Sequence, residues 1–194
     1  MHIHLDPIGG IAGDMFAAAL LDYNRAWQTP LYEAIRGSGL TPDLEVCALQ
    51  HDDGSLTGHR FEVKQPKGPV EHHHRHWRDI RERLYDSGLE TAVKERAIAI
   101  FELLAEAEAA VHGSSIDEVT FHEVGAWDSI ADIIAAAWLI ERNGATTWSC
   151  SPLPLGRGRV ASAHGLLPIP APATAWLLKG FPVFDDGVQG ERVT

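Results

Sequence analysis

One stretch constrains the fold more than any other: residues 120–132, Thr-Phe-His-Glu-Val-Gly-Ala-Trp-Asp-Ser-Ile-Ala-Asp. Residues 119–124 are β-branched and aromatic enough to form a strand. From 126 to 142, Ile130, Ile133, Ile134, Ala137 and Trp138 recur at helical spacing. Gly125 supplies the freedom to turn from strand to helix. The same junction gathers His122 and Glu123 at the strand end, with Asp128 and Asp132 one helical turn apart, roughly opposite the apolar stripe. Two aspartates alone read as a solvated acidic face. Together with His122 and Glu123 they read as convergent ligands for a divalent cation, and imidazole plus carboxylates suits a borderline first-row metal better than calcium. Spacing leaves both readings open.

The rest of the chain predicts strands and helices in mixture. Residues 1–6 alternate, with Ile3 and Leu5 on one face and His2, His4 and Asp6 on the other. The turn Pro-Ile-Gly-Gly-Ile-Ala-Gly follows at 7–13, and Asp14 opens a helix. A strand, a glycine-rich turn and a helix start aim backbone N–H groups at an anion. The glycine spacing matches neither a dinucleotide fingerprint nor a Walker loop, and a plain turn capped by Asp14 competes with the anion site. A second helix is expected at 31–39, then strands at 43–50 and 58–64 around His51-Asp-Asp-Gly-Ser. Helices follow from 77 to near Gly88 and over 91–111, with a mobile loop near 65–76. After the acidic helix come a strand at 145–150, a loop at 151–160 carrying Arg157 and Arg159, a helix at 171–179 and a last strand at 181–184. No closing element is expected at 190–194. The whole predicts a single α/β domain over 1–194, with a mixed, partly antiparallel sheet flanked by helices.

Charge narrows the partners. A net charge of −11 argues against nucleic acid, whose phosphates need a basic surface. Cys47 and Cys150 show no paired spacing, so neither a disulfide framework nor a zinc ribbon is supported. No apolar run approaches the roughly 20 residues of a membrane span, and no signal peptide is visible, so a cytoplasmic location is expected.

Of eleven histidines, His72, His73, His74 and His76 crowd into one short run, broken by Arg75. A mobile run of this kind can offer two or three imidazoles to nickel, copper or zinc. An exposed helix start without a ligand is the alternative.

A family resemblance covers the chain from residue 6 to its end. It is carried by residues 6–15, by His73-His74-Arg75 with Asp79-Ile80, and by Phe121-His122-Glu123-Val124-Gly125-Ala126 with Asp128-Ser129. Ser151-Pro-Leu-Pro-Leu-Gly-Arg-Gly, residues 163–174 and the terminal Gly-Glu-Arg-Val-Thr complete it. In this order the motifs resemble the N-terminal part of the LarC nickel-insertion family of lactate racemase maturation. The resemblance implies a nickel chelatase, a lyase that places Ni2+ into pyridinium bisthiocarboxylic acid mononucleotide, using CTP with Mn2+ or Mg2+. It implies nickel held by His72, His73, His74, His76, His122, Glu123, Asp128 and Asp132, with Glu123 or His122 as the base for the ring proton. Asp6, Gly9, Gly10, Gly13, Asp14, Arg157, Arg159 and His164 are the implied substrate contacts. Where the family has Ser-Gly-Ile-Ser-Gly-Asp, this chain has Gly9-Gly10-Ile11-Ala12-Gly13-Asp14, so an anion there would meet mainly backbone. Family members continue beyond this end, so a C-terminal domain or partner chain is an expected partner, with self-association left open. A nickel carrier without catalysis and a metal-dependent phosphoester hydrolase built on His122, Glu123, Asp128 and Asp132 are the alternative functions.

Overall fold

The computed structural model describes residues 1–40, 44–64, 75–121, 126–162 and 164–194. β1 (His2–Leu5) turns Ile3 and Leu5 inward and leaves His2 and His4 exposed. Past the glycine-rich turn, α1 (Gly13–Tyr23) buries Ala17, Ala18, Leu20 and Leu21. A 3-10 turn at Arg25–Trp27 leads into α2 (Gln28–Gly37), which buries Leu31 and Ile35. β2 (Glu45–Asp52) and β3 (Thr57–Lys64) then form an antiparallel hairpin. Its turn sits later than the sequence suggests, because His51 and Asp52 still pair with Gly58 and Thr57. The Asp52 carboxylate accepts from the Gly54 amide, and that of Asp53 from the amides of Ser55 and Leu56.

β4 (Arg75–His76) precedes α3 (Trp77–Asp86) and the long α4 (Thr91–His112). Gly113, at φ 66°, closes α4 in the left-handed conformation that glycine adopts without Cβ strain. A 3-10 turn at Ile116–Glu118 and β5 (Thr120–Phe121) follow, then α5 (Trp127–Arg142). The last part is more ordered than its proline and glycine content suggests. It contains β6 (Thr147–Cys150), β7 (Leu153–Pro154), β8 (Gly156–Arg157), β9 (Arg159–Ser162), β10 (Gly165–Pro168), α6 (Pro172–Leu177), β11 (Val183–Phe184) and β12 (Gly190–Glu191).

The protein is α/β with parallel and antiparallel pairing, as expected, but its strands do not merge into one sheet. Among the described residues they form two-stranded ladders: β1 with β6 and β11 with β7 in parallel, the remaining pairs antiparallel. Two expectations are corrected here. The loop expected at 151–160 holds β7, β8 and the start of β9. Residues 190–194 do close the structure, through β12 against β8 and a parallel bridge from Val193 to Ile11. Most of the segment expected as a mobile loop lies outside the described residues, and its last two, Arg75 and His76, are strand.

α5 is the hub. It packs against α1, α2 and α4, while the β2–β3 hairpin covers α1. Alanines 131, 135 and 137 are buried along it and allow close approach on several sides. The core also joins Trp77, Phe101 and Phe121, whose neighbouring ring centroids are 6.1 Å apart. Burial of each such ring contributes about 1.5–3 kcal/mol and pins the strand that leads to residue 122. Arg96 bonds Glu141 at 2.8 Å and Arg142 pairs with Glu90, so the start of α4 meets the end of α5. The two helices run antiparallel.

Candidate functional site

The N-terminus of α1 crosses α5 where a side chain would not fit. A Cβ on Gly13 would lie 2.6 Å from the Cβ of Asp132, so the close contact requires glycine there. This crossing brings Asp14 beside Asp132, and Asp128 approaches from one turn earlier on α5. The Asp14 amide donates to the Asp132 carboxylate, while the other oxygen, Oδ1, is buried without a hydrogen-bond partner. Burial, then the charges of Asp14 and Asp128, push the Asp132 carboxyl up to about 7. A half-buried carboxylate with an open acceptor and two acidic neighbours is poised to take a proton or a cation.

Of the two readings that spacing leaves open for this pair, the solvated face fits Asp128 and not Asp132. Asp128 is exposed, and its Oδ1 accepts from the Ser129 amide. Asp132 instead faces α1, because α5 is enclosed on more sides than its apolar stripe alone requires. Among the described residues, no group of three His, Cys, Asp or Glu side chains is arranged to hold a metal ion. His72, His73, His74, His122 and Glu123 lie outside the described residues. The residues flanking them are described: Arg75, next to His74, pairs with Phe121, next to His122. The histidine run and the His122–Glu123 motif thus join the described fold at one ladder. Here the Arg75 guanidinium lies 3.8 Å over the Trp127 ring and donates to the Leu40 carbonyl. His76 Nδ1 is 2.9 Å from Thr120 Oγ1.

The glycine-rich turn is more occupied than its sequence suggests. Gly9 faces open space, but Gly10, at φ 109°, packs its Cα side against the Arg192 carbonyl, and the Ile11 amide donates to that oxygen at 2.7 Å. The Ile8 and Gly10 amides bond to Asp6 and Pro7 carbonyls within the turn. Asp14 does not cap the helix in the usual sense: its Oδ1 accepts from the adjacent Met15 amide, and the N-cap position is Ala12. Arg157 makes a bidentate pair with Asp185, at 2.7 Å from Nε and 2.6 Å from Nη2. Arg159 is exposed on β9, with no side-chain partner among the described residues. Residues 190–193 bridge the two glycine-rich segments, pairing with β8 on one side and Ile11 on the other.

His164 is exposed, and its ring centroid lies 4.9 Å from that of His112. His112 Nε2 is 3.3 Å from Glu108 Oε2, one turn back on α4. His112 is the residue that reading the sequence missed. The Glu108–His112 spacing is visible in the sequence, but the approach of His112 to His164 joins residues far apart in the chain and exists only in the folded protein.

The family described as "Nickel insertion protein" matches residues 3–194. A putative nickel insertion protein of Geobacter metallireducens is 45% identical over 99% of this chain and 48% of its own length. A pyridinium-3,5-bisthiocarboxylic acid mononucleotide nickel insertion protein of Staphylococcus epidermidis is 41% identical over 99% of this chain and 47% of its own length. The chain therefore spans about half the length of the curated relatives it matches. No solved structure matches it. A family match that runs over residues 3–194 makes this chain a member of the nickel insertion protein family.

Proposed function

We propose that the chain carries the nickel-handling part of an enzyme that inserts Ni2+ into pyridinium-3,5-bisthiocarboxylic acid mononucleotide. The observation that carries this reading is 41% identity, over nearly all of this chain, to a relative named for that reaction. Nickel is the substrate ion. His72, His73, His74 and His76 capture it, and His122, Glu123, Asp128 and Asp132 receive it beside the organic precursor. As the carbon–nickel bond forms, the ring C–H bond breaks, its electron pair goes to the metal and its proton goes to a basic side chain. Glu123 or His122 serves as that base, and Asp132, pushed up to about 7, suits proton acceptance at neutral pH equally well. The phosphate of the precursor meets the exposed Gly9 side of the turn, the start of α1 and Arg159, with Asp6 and His164 at the rim.

CTP with Mn2+ or Mg2+ belongs, in this reading, to the half of the longer relatives that this chain does not span. The half-length match also favours a second reading, in which the chain alone binds nickel and delivers it without turnover. One experiment separates them. Ni2+ and the purified precursor are incubated with the chain alone and with the remaining half of the Geobacter relative, with and without CTP. The nickel-containing product is then followed by mass spectrometry. Product that requires the second half and CTP supports insertion by a two-part enzyme. Nickel binding with no product in any arm establishes the carrier reading, and absence of nickel binding overturns both.

A further inference from the structure

Away from that site, the polar face of β1 lies against a row of hydroxyls on and just beyond β6. The parallel register sets His2 opposite Thr147 and His4 opposite Ser149, with Ser151 next along. Ser149 Oγ is 2.9 Å from His2 Nε2 and 2.7 Å from His4 Nδ1, so two imidazole nitrogens converge on one point. The outer nitrogens have hydroxyls of their own. His2 Nδ1 is 2.9 Å from Thr147 Oγ1, and His4 Nε2 is 3.1 Å from Ser151 Oγ. The Ser149 hydroxyl has one proton, so without an ion it donates to one inner nitrogen and accepts from the other. When each outer nitrogen instead donates its N–H to its own hydroxyl, both inner nitrogens present lone pairs toward the same place, the arrangement a cation requires.

We propose that His2 Nε2 and His4 Nδ1 chelate a divalent cation of the nickel and copper class, with Thr147 and Ser151 holding the two rings in register. Imidazole is the donor these ions prefer, and ligating imidazoles are normally oriented through the other ring nitrogen. A ring movement that displaces the Ser149 hydroxyl brings both nitrogens to the roughly 2.0–2.1 Å that imidazole–metal bonds require. Water completes the coordination, so the site exchanges its ion readily. Alternation on a four-residue strand keeps both rings on one exposed face, leaving the ion open to solvent and to transfer. That the physiological ion is nickel rests on the nickel-insertion reading. That the two imidazoles act as a chelate does not.

The test titrates Ni2+ into protein whose His72, His73, His74 and His76 are replaced by glutamine, so that the histidine run is silent. Binding is followed by calorimetry and by paramagnetic broadening of the histidine ring protons. The expected result is selective broadening of His2 and His4. His2→Gln and His4→Gln should each weaken binding at that site by about tenfold or more, because either change leaves a single imidazole. Thr147→Val and Ser151→Ala should weaken it by about tenfold as lost orienting partners. Ser149→Ala should leave it unchanged or tighter, since that hydroxyl occupies the ion's place. Full affinity in the His4→Gln protein would mean that His2 binds with the amino terminus instead, and would overturn the pair. Broadening confined to other histidines would overturn it as well. Either failure leaves the insertion assay intact, and an inactive insertion assay would leave this result intact.

Discussion

At Asp132, burial and two neighbouring carboxylates hold the carboxyl at about 7, well above its ordinary value of 3.8. Between those values the folded state binds a proton that the unfolded chain does not. Its contribution therefore favours folding at low pH and is lost as pH rises toward 7. Asp132→Asn removes the titration. The variant should be more stable than the native protein by about 2–4 kcal/mol at pH 8, with the gap closing toward pH 4, when metal-free protein is unfolded by urea. An equal gap at both pH values would show that the carboxyl is not perturbed. The two arginines separate at the same scale. Arg159→Ala should weaken precursor binding by about tenfold to a hundredfold, the worth of a charge-assisted bond, with little change in melting temperature. Arg157→Ala should do the reverse, because its guanidinium is committed to Asp185.

Between elements, the crossing of α1 over α5 decides where Asp14 and Asp132 meet. Gly13→Ala favours helix formation locally, by up to about 1 kcal/mol, but forces the new methyl onto the Asp132 Cβ. The clash is the larger effect. The variant should be destabilised by about 1–3 kcal/mol, and the carboxyl of Asp132 should titrate lower as α1 is pushed away. Urea unfolding and carboxyl NMR titration check the two halves of that expectation. The crossing was not legible locally, since a glycine before an acidic helix start reads equally well as a flexible turn. The periodicity of α5 was legible: Ile130, Ile134, Ala137 and Trp138 are buried as it requires, while Ile133 is only partly buried.

Across the whole molecule, residues 190–194 tie the first turn to the last third of the chain. The Thr194 amide donates to the Ile11 carbonyl, the Ile11 amide donates to Arg192, and Arg192 pairs with Asp186. Deleting residues 190–194 should cost about 2–4 kcal/mol from these bonds and should loosen Gly10, visible as a lower melting temperature and faster amide exchange at Ile11. The same packing changes what a substitution at Gly10 reports. A Cβ there strikes the Arg192 carbonyl before it meets any ligand, so Gly10→Val tests this closure first.

The amino-acid sequence by itself determined the helices, the hairpin, the strand at the start and the mixed α/β class, because apolar period, glycine position and turn chemistry act over a few residues. Its motifs also pointed to the family that the comparison bears out. Only the tertiary structure decided that Asp132 packs half-buried beside Asp14, that Arg157 is spent on Asp185, and that His112 stands beside His164. The division of the strands into separate ladders was likewise decided there. The physical reason is common to all four. Periodicity states which face of an element is apolar, but what covers its other faces depends on partners far away in the chain. Burial and neighbouring charge, which set the chemistry of a carboxylate, an arginine or an imidazole, exist only once those partners have packed.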